Sequence, residues 1–123
     1  MTGIAAALRW VARLIGVIAL ILGIILWTGS TRVLGIHILT GFIMSITMLL
    51  IGGVGFFARV KPGLPIIAIA WAFLLPYIGF AQFKLLPGAS HIVIQAIHLL
   101  IGICSIGIAE ALAAKIKRQA RME

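Results

Sequence analysis

"VLGIHILTGFIMSITMLLIGGVGFFA", residues Val33–Ala58, contains no Lys, Arg, Asp or Glu. A helix needs about 20 mostly apolar residues to cross about 30 Å of hydrocarbon, so this run predicts a transmembrane helix. Working outward, three further runs qualify: Ile4–Trp27, Leu64–Phe83 and His91–Ala114. The breaks between the four are Thr28-Gly29-Ser30-Thr31, Val60-Lys61-Pro62-Gly63 and Leu86-Pro87-Gly88-Ala89. Proline removes a backbone donor and glycine tolerates left-handed backbone, so each break reads as a short helix–helix connection. Short links make neighbouring helices antiparallel. The expected fold is all-α: one domain over residues 1–123, a four-transmembrane-helix bundle running up-down-up-down.

Composition agrees. The chain has 123 residues, 63% of them hydrophobic, with ten Lys+Arg against two Asp+Glu, and a mean hydropathy of +1.29. A soluble domain of this size cannot hide so much apolar side chain, so the lipid bilayer is the expected surrounding. The cations sit at the ends of apolar runs, not along a face, which argues against nucleic acid as a partner. Arg9, Arg13, Arg59, Lys61, Lys115, Lys117, Arg118 and Arg121 all fall on one side of such a bundle, and only Arg32 and Lys84 on the other. By the positive-inside rule both termini are expected in the cytoplasm and the protein in the plasma (bacterial inner) membrane. Trp10 and Trp27 would lie about 26 Å apart on an ideal helix, a spacing that suits two interfacial anchors. No A-x-A cleavage pattern follows the first run, so it reads as a retained span and not as a signal peptide. Cys104 is the single cysteine and carries no information on redox compartment.

In lipid, helices meet through small residues and polar contacts. The second run has a stripe at steps of three and four: His37, Gly41, Met44, Met48, Gly52, Gly55. The fourth has His91, Gln95, His98, Gly102, Ser105, Ala109. Both stripes are expected to face protein, the opposite faces being Ile, Leu and Val. A glycine on such a face serves either close helix approach or room for a flat ligand against the backbone. Gly52-Gly53-Val54-Gly55 and the pair Gly16 and Gly23 could equally serve a homodimer. Pro76 is expected to bend the third helix near Ala72.

The phrase I-H-[IL]-L-x-G occurs twice, as "IHILTG" at Ile36–Gly41 and "IHLLIG" at Ile97–Gly102. The second and fourth helices run in the same direction, so the repeat sets two imidazoles on helices related by a pseudo-twofold axis along the membrane normal. An ionisable side chain within the membrane usually faces a cavity or the bundle interior. The arrangement suits a cofactor gripped from both sides, and haem iron takes two axial histidines. Depth along an ideal helix puts His37 about 7 Å past Arg32, His98 about 12 Å past Ser90 and His91 about 1.5 Å past it. Repeated context selects His37 and His98 as axial ligands of one haem b, with His91 as the reserve or as a neighbour of the propionates. A zinc or copper site built from histidine alone is the lesser metal reading. Gln82, Tyr77 or Gln95 could orient an imidazole N–H, and Lys84 and Arg32 could pair with propionates or act as snorkelling anchors. Glu110 is expected to pair with Arg13, and the tail Lys115–Arg121 to touch anionic lipid.

Four spans with histidines on paired helices resemble the cores of membrane-bound cytochromes b, including the ascorbate-reducible and hydrogenase-linked types. The resemblance covers the second and fourth helices through the two repeated phrases. It implies a bis-histidine b-type haem and electron transfer, or haem sensing or handling, near the extracytoplasmic face. Those families typically carry histidine pairs at both membrane levels, whereas this chain has them at one, which allows one haem and no transmembrane electron wire within a protomer. The stretch "LLPGASHIVIQAIHLLIG" also resembles a pattern in small bacterial four-helix membrane proteins. No nucleotide loop, nucleophile–base pair or carboxylate pair is present, so hydrolytic and phosphoryl-transfer chemistry is not expected. The rival expectation is a cofactor-free transporter component or an assembly and interaction subunit.

Overall fold

The computed structural model describes residues 1–122. It is all-helical in these residues: α1 Thr2–Trp27, α2 Leu34–Phe57, α3 Gly63–Ala81 and α4 His91–Gln119, with a single 3-10 turn at Gly88–Ser90 before α4. All four α-helices are long and apolar enough to cross a membrane. The third ends at Ala81, two residues sooner than expected, and α4 runs on past Ala114 through the basic tail to Gln119.

The connections follow their backbone chemistry. Gly29 and Gly88 take positive φ, 89° and 76°, which side chains resist. The end of α2 uses no glycine at that position: Arg59 itself sits at φ 55°. It is held there because its N–H donates to the Phe56 carbonyl (2.9 Å) and that of Val60 to the Gly55 carbonyl (3.0 Å), the paired bonds that close a helix C-terminus. Pro65 lies in the first turn of α3, where its missing N–H leaves no partner wanting. α3 continues as a helix through Pro76.

The helices form a square in which α1 neighbours α2 and α4, and α3 neighbours α2 and α4. α2 and α4 also meet across the short diagonal, while α1 and α3 do not meet. The predicted inward stripes are inward. Met44, Met48, Gly52 and Gly55 of α2 are buried, as are Ser105 and Ala109 of α4. Close approach is concentrated toward the end that carries Arg59 and Lys115, the basic end. There a Cβ on Gly52 would lie 2.7 Å from Ile69 and 3.1 Å from the Pro65 carbonyl oxygen, and one on Gly55 would lie 3.0 Å from Leu112 and from Pro65. Gly16 of α1 receives Ile106 of α4 in the same way. Gly16, Gly52 and Gly55 are thus engaged in packing within the protomer. Around them Met48, Ile51, Leu112 and Ile116 are packed with no exposed surface.

The buried hydroxyls are satisfied within their own helices, as a hydrocarbon surrounding favours. The hydroxyls of Ser45, Thr47 and Ser105 donate to carbonyls four residues back, and Thr40 donates to the His37 carbonyl. Trp71 of α3 donates its indole N–H to the Ile101 carbonyl of α4 (3.0 Å). Arg13 and Glu110 pair as expected, in a two-pronged contact: Nε donates to Oε1, and Nη2 to Oε2 at 2.9 Å. The guanidinium also lies 4.6 Å from the Trp10 ring centroid, over its face. A fork geometry with an aromatic behind it suits arginine and not lysine.

Two predictions test this frame by thermal unfolding in detergent. Gly52→Ala meets backbone as well as side chain and should lower stability by about 1–3 kcal/mol, whereas Gly53→Ala, with nothing within 4 Å of its new Cβ, should not lower it. Arg13→Gln and Glu110→Gln should each lower the melting temperature, and the double variant should lose less than the two losses added.

Candidate functional site

Toward the other end the bundle is open. Among residues past Met44 on α2, Leu75 on α3 and Gly102 on α4 in that direction, Thr40 and Ile94 are the buried ones. A cavity of about 270 Å³ occupies this half and is lined by all four helices. Its wall includes Gly23, Gly41, Gly79 and Gly102, the aromatic side chains of Trp27, Phe42, Phe80 and Phe83, and all three histidines.

His37 and His98 face each other across it, with ring centroids 6.0 Å apart and ring planes at 73°. This places the two repeated phrases at one level, and of the two α4 histidines it is His98 that meets His37. His91, at the first turn of α4, and Gln95 line the same cavity. In each facing ring Nδ1 is sealed from solvent and lacks a hydrogen-bond partner, whereas neither Nε2 is sealed in this way. No group of three or more metal-ligating side chains occurs among the described residues, so a site here would have two protein donors.

Of the expected helpers, Gln82 and Gln95 line the cavity and Tyr77 does not. Tyr77 is 69% exposed on the outside of the bundle. Gln82 donates to the Gly79 carbonyl of its own helix at 3.1 Å, and no side chain partners either buried Nδ1. The cause is helix phase: Tyr77 lies about 200° around α3 from Gly79, which lines the cavity. Lys84 and Arg32 are both exposed, as snorkelling side chains are.

Gly41 and Gly102 are read differently from Gly52 and Gly55. A Cβ at either meets nothing within 4 Å, and both border the cavity. They leave room and do not bring helices together. Two other glycines do touch the histidines: Gly23 of α1 lies under His37, and Gly79 of α3 under His98. Gly79 was not singled out by spacing, because its partner lies on another helix and stripe analysis works within one. Depth is the usable signal, since both glycines sit within about two turns of the same end of the preceding helix.

Comparison with known protein families, with curated proteins and with solved structures gave no match at any level that carries an argument. The chemistry of the site therefore rests on its own geometry. That geometry sets two imidazole rings with centroids 6.0 Å apart in an apolar, aromatic-walled space at one end of a membrane bundle.

Cavity space beside Gly102 makes a direct prediction. Gly102→Leu should fold and melt higher in detergent than the parent, by about 1–2 kcal/mol, since it gains helix propensity and fills void without meeting backbone. A lower melting temperature would mean that the space is already filled.

Proposed function

We propose that this chain is an inner-membrane protein with both termini in the cytoplasm that binds one b-type haem through His37 and His98, for electron transfer or haem handling near the extracytoplasmic face. The observation that carries the reading is the 6.0 Å separation of the two ring centroids. A metal–imidazole bond of about 2 Å, with the ring centre about 1 Å beyond the nitrogen, puts the centroids of two imidazoles on one metal about 6 Å apart. The donor set and spacing fit haem iron. The glycines and aromatic residues of the wall suit a flat apolar ring.

At about 270 Å³ the cavity falls just below the usual ligand-pocket range of about 300–1,000 Å³. A macrocycle needs more room than this. Haem would supply one-electron redox chemistry at this depth. The protein's own part is to offer two neutral nitrogens, to keep water from them with Phe42, Phe80 and Trp27, and to hold His91 and Gln95 beside them at the cavity wall. The cation asymmetry supports the assigned orientation.

A cofactor-free subunit is the second reading, and one feature favours it. The rings meet at 73°, an edge-to-face arrangement in which two imidazoles pack directly on each other.

The visible spectrum separates the two. Detergent-purified protein, as isolated or given hemin, should show a Soret band that shifts on dithionite reduction. His37→Ala and His98→Ala should each weaken hemin binding at least about tenfold, while His91→Ala keeps the low-spin spectrum. Folded protein that stays colourless with hemin selects the cofactor-free reading.

A further inference from the structure

The two facing histidines are seated alike but not equally. Each leans away from its own helix onto a glycine of the preceding one: His37 of α2 onto α1, His98 of α4 onto α3. A Cβ built on Gly23 would lie 3.4 Å from Cε1 of His37, an ordinary contact. One built on Gly79 would lie 3.2 Å from Cε1 of His98 and 3.9 Å from each of its ring nitrogens. Equal distances to the two nitrogens mean that the ring presents its Cε1 corner to the α3 backbone, with one nitrogen on either side. Of those nitrogens, Nδ1 is sealed and without a partner, and Nε2 is not in that condition. A ring braced at that corner cannot swing about its Cβ–Cγ bond without losing contact or colliding.

We propose that Gly79 is the positioning residue for His98: the absence of a side chain there lets the imidazole rest against the α3 backbone and so aims its Nε2 across the cavity toward His37. Gly23 gives His37 ordinary clearance, so the glycine beneath His98 constrains its ring more tightly than the one beneath His37 does. The seat stands on the glycine geometry alone, and its effect on a cofactor rests on the haem reading above.

The asymmetry makes the proposal testable with two conservative changes. Alanine is a better helix former than glycine, so neither Gly79→Ala nor Gly23→Ala should fold less well. In Gly79→Ala the His98 ring must give way by a few tenths of an ångström, whereas in Gly23→Ala His37 need not. With Cε1-labelled histidine in detergent-solubilised, hemin-free protein, the His98 resonance is assigned by its loss in His98→Gln and that of His37 by its loss in His37→Gln. Gly79→Ala should move the His98 signal clearly, and Gly23→Ala should leave the His37 signal nearly in place, with melting temperatures of both at or above the parent. In hemin-loaded protein, Gly79→Ala should release hemin about tenfold faster and alter the low-spin spectrum, as loss of an orienting contact does, and Gly23→Ala should do neither. An unmoved His98 signal in Gly79→Ala, equal shifts in the two variants, or unchanged hemin release from Gly79→Ala would each overturn the proposal. A parent protein that binds no hemin removes the haem reading, and the resonance comparison still decides the seat.

Discussion

Close approach at Gly52 and Gly55 is the constraint on which the rest of the bundle depends. Lipid is as apolar as the side chains that face it, so helices gain little by hiding from it and are held by packing and a few polar contacts. At Gly52 the α2 backbone comes near enough to α3 that a single methyl group would touch the Pro65 carbonyl, and at Gly55 it meets Leu112 of α4 as well. Arg13 with Glu110 fastens α1 to α4, and Trp71 with Ile101 fastens α3 to α4. With so much of the contact toward the basic end, the helices have freedom to part toward the other. The cavity is the consequence of where the small residues and the polar ties were placed.

Much of this was legible in the sequence because membrane helices announce themselves by length and lack of charge. The run from Val33 to Ala58 could be nothing shorter than a span, and the steps of three and four through Met44, Met48, Gly52 and Gly55 gave the buried face of α2. The Arg13–Glu110 pair followed from two charges of opposite sign at one depth. What the sequence could not separate were glycines of identical appearance. Gly52 and Gly41 lie on one stripe, yet the first is pressed against backbone and the second borders open space. That difference depends on how far a neighbouring helix stands away, which no residue on α2 encodes. The choice between His91 and His98 was of the same kind, since loop length and tilt together shift depth by a turn. Tyr77 shows the opposite failure: depth was considered and phase around the helix was not.

The same separation explains why Trp71 escaped notice. An indole in the middle of an apolar run looks like another large hydrophobic side chain, and its donor matters only once a carbonyl with spare capacity is beside it. Ile101 supplies one, accepting from Ser105 within α4 as well as from Trp71 across the seam. This tie lies about one turn below His98, and above it the α3–α4 seam is in contact again where His98 rests against Gly79.

Buried polar atoms without partners are rare in folded proteins, and hydrocarbon makes them costlier still. Among the described residues such side-chain atoms are Arg9 Nε and the Nδ1 of the two facing histidines. The hydroxyls of Thr40, Ser45, Thr47 and Ser105 all find carbonyls in their own helices, so the chain does satisfy polar groups where packing alone is at stake. A leucine at position 37 or 98 would fill the same space without this penalty. Two imidazoles set opposite each other with Nδ1 of each unpartnered are therefore poor packing. The cavity beside the pair is open, and a ligand of the kind proposed above would engage the other nitrogen of each ring, leaving Nδ1 as a standing packing cost.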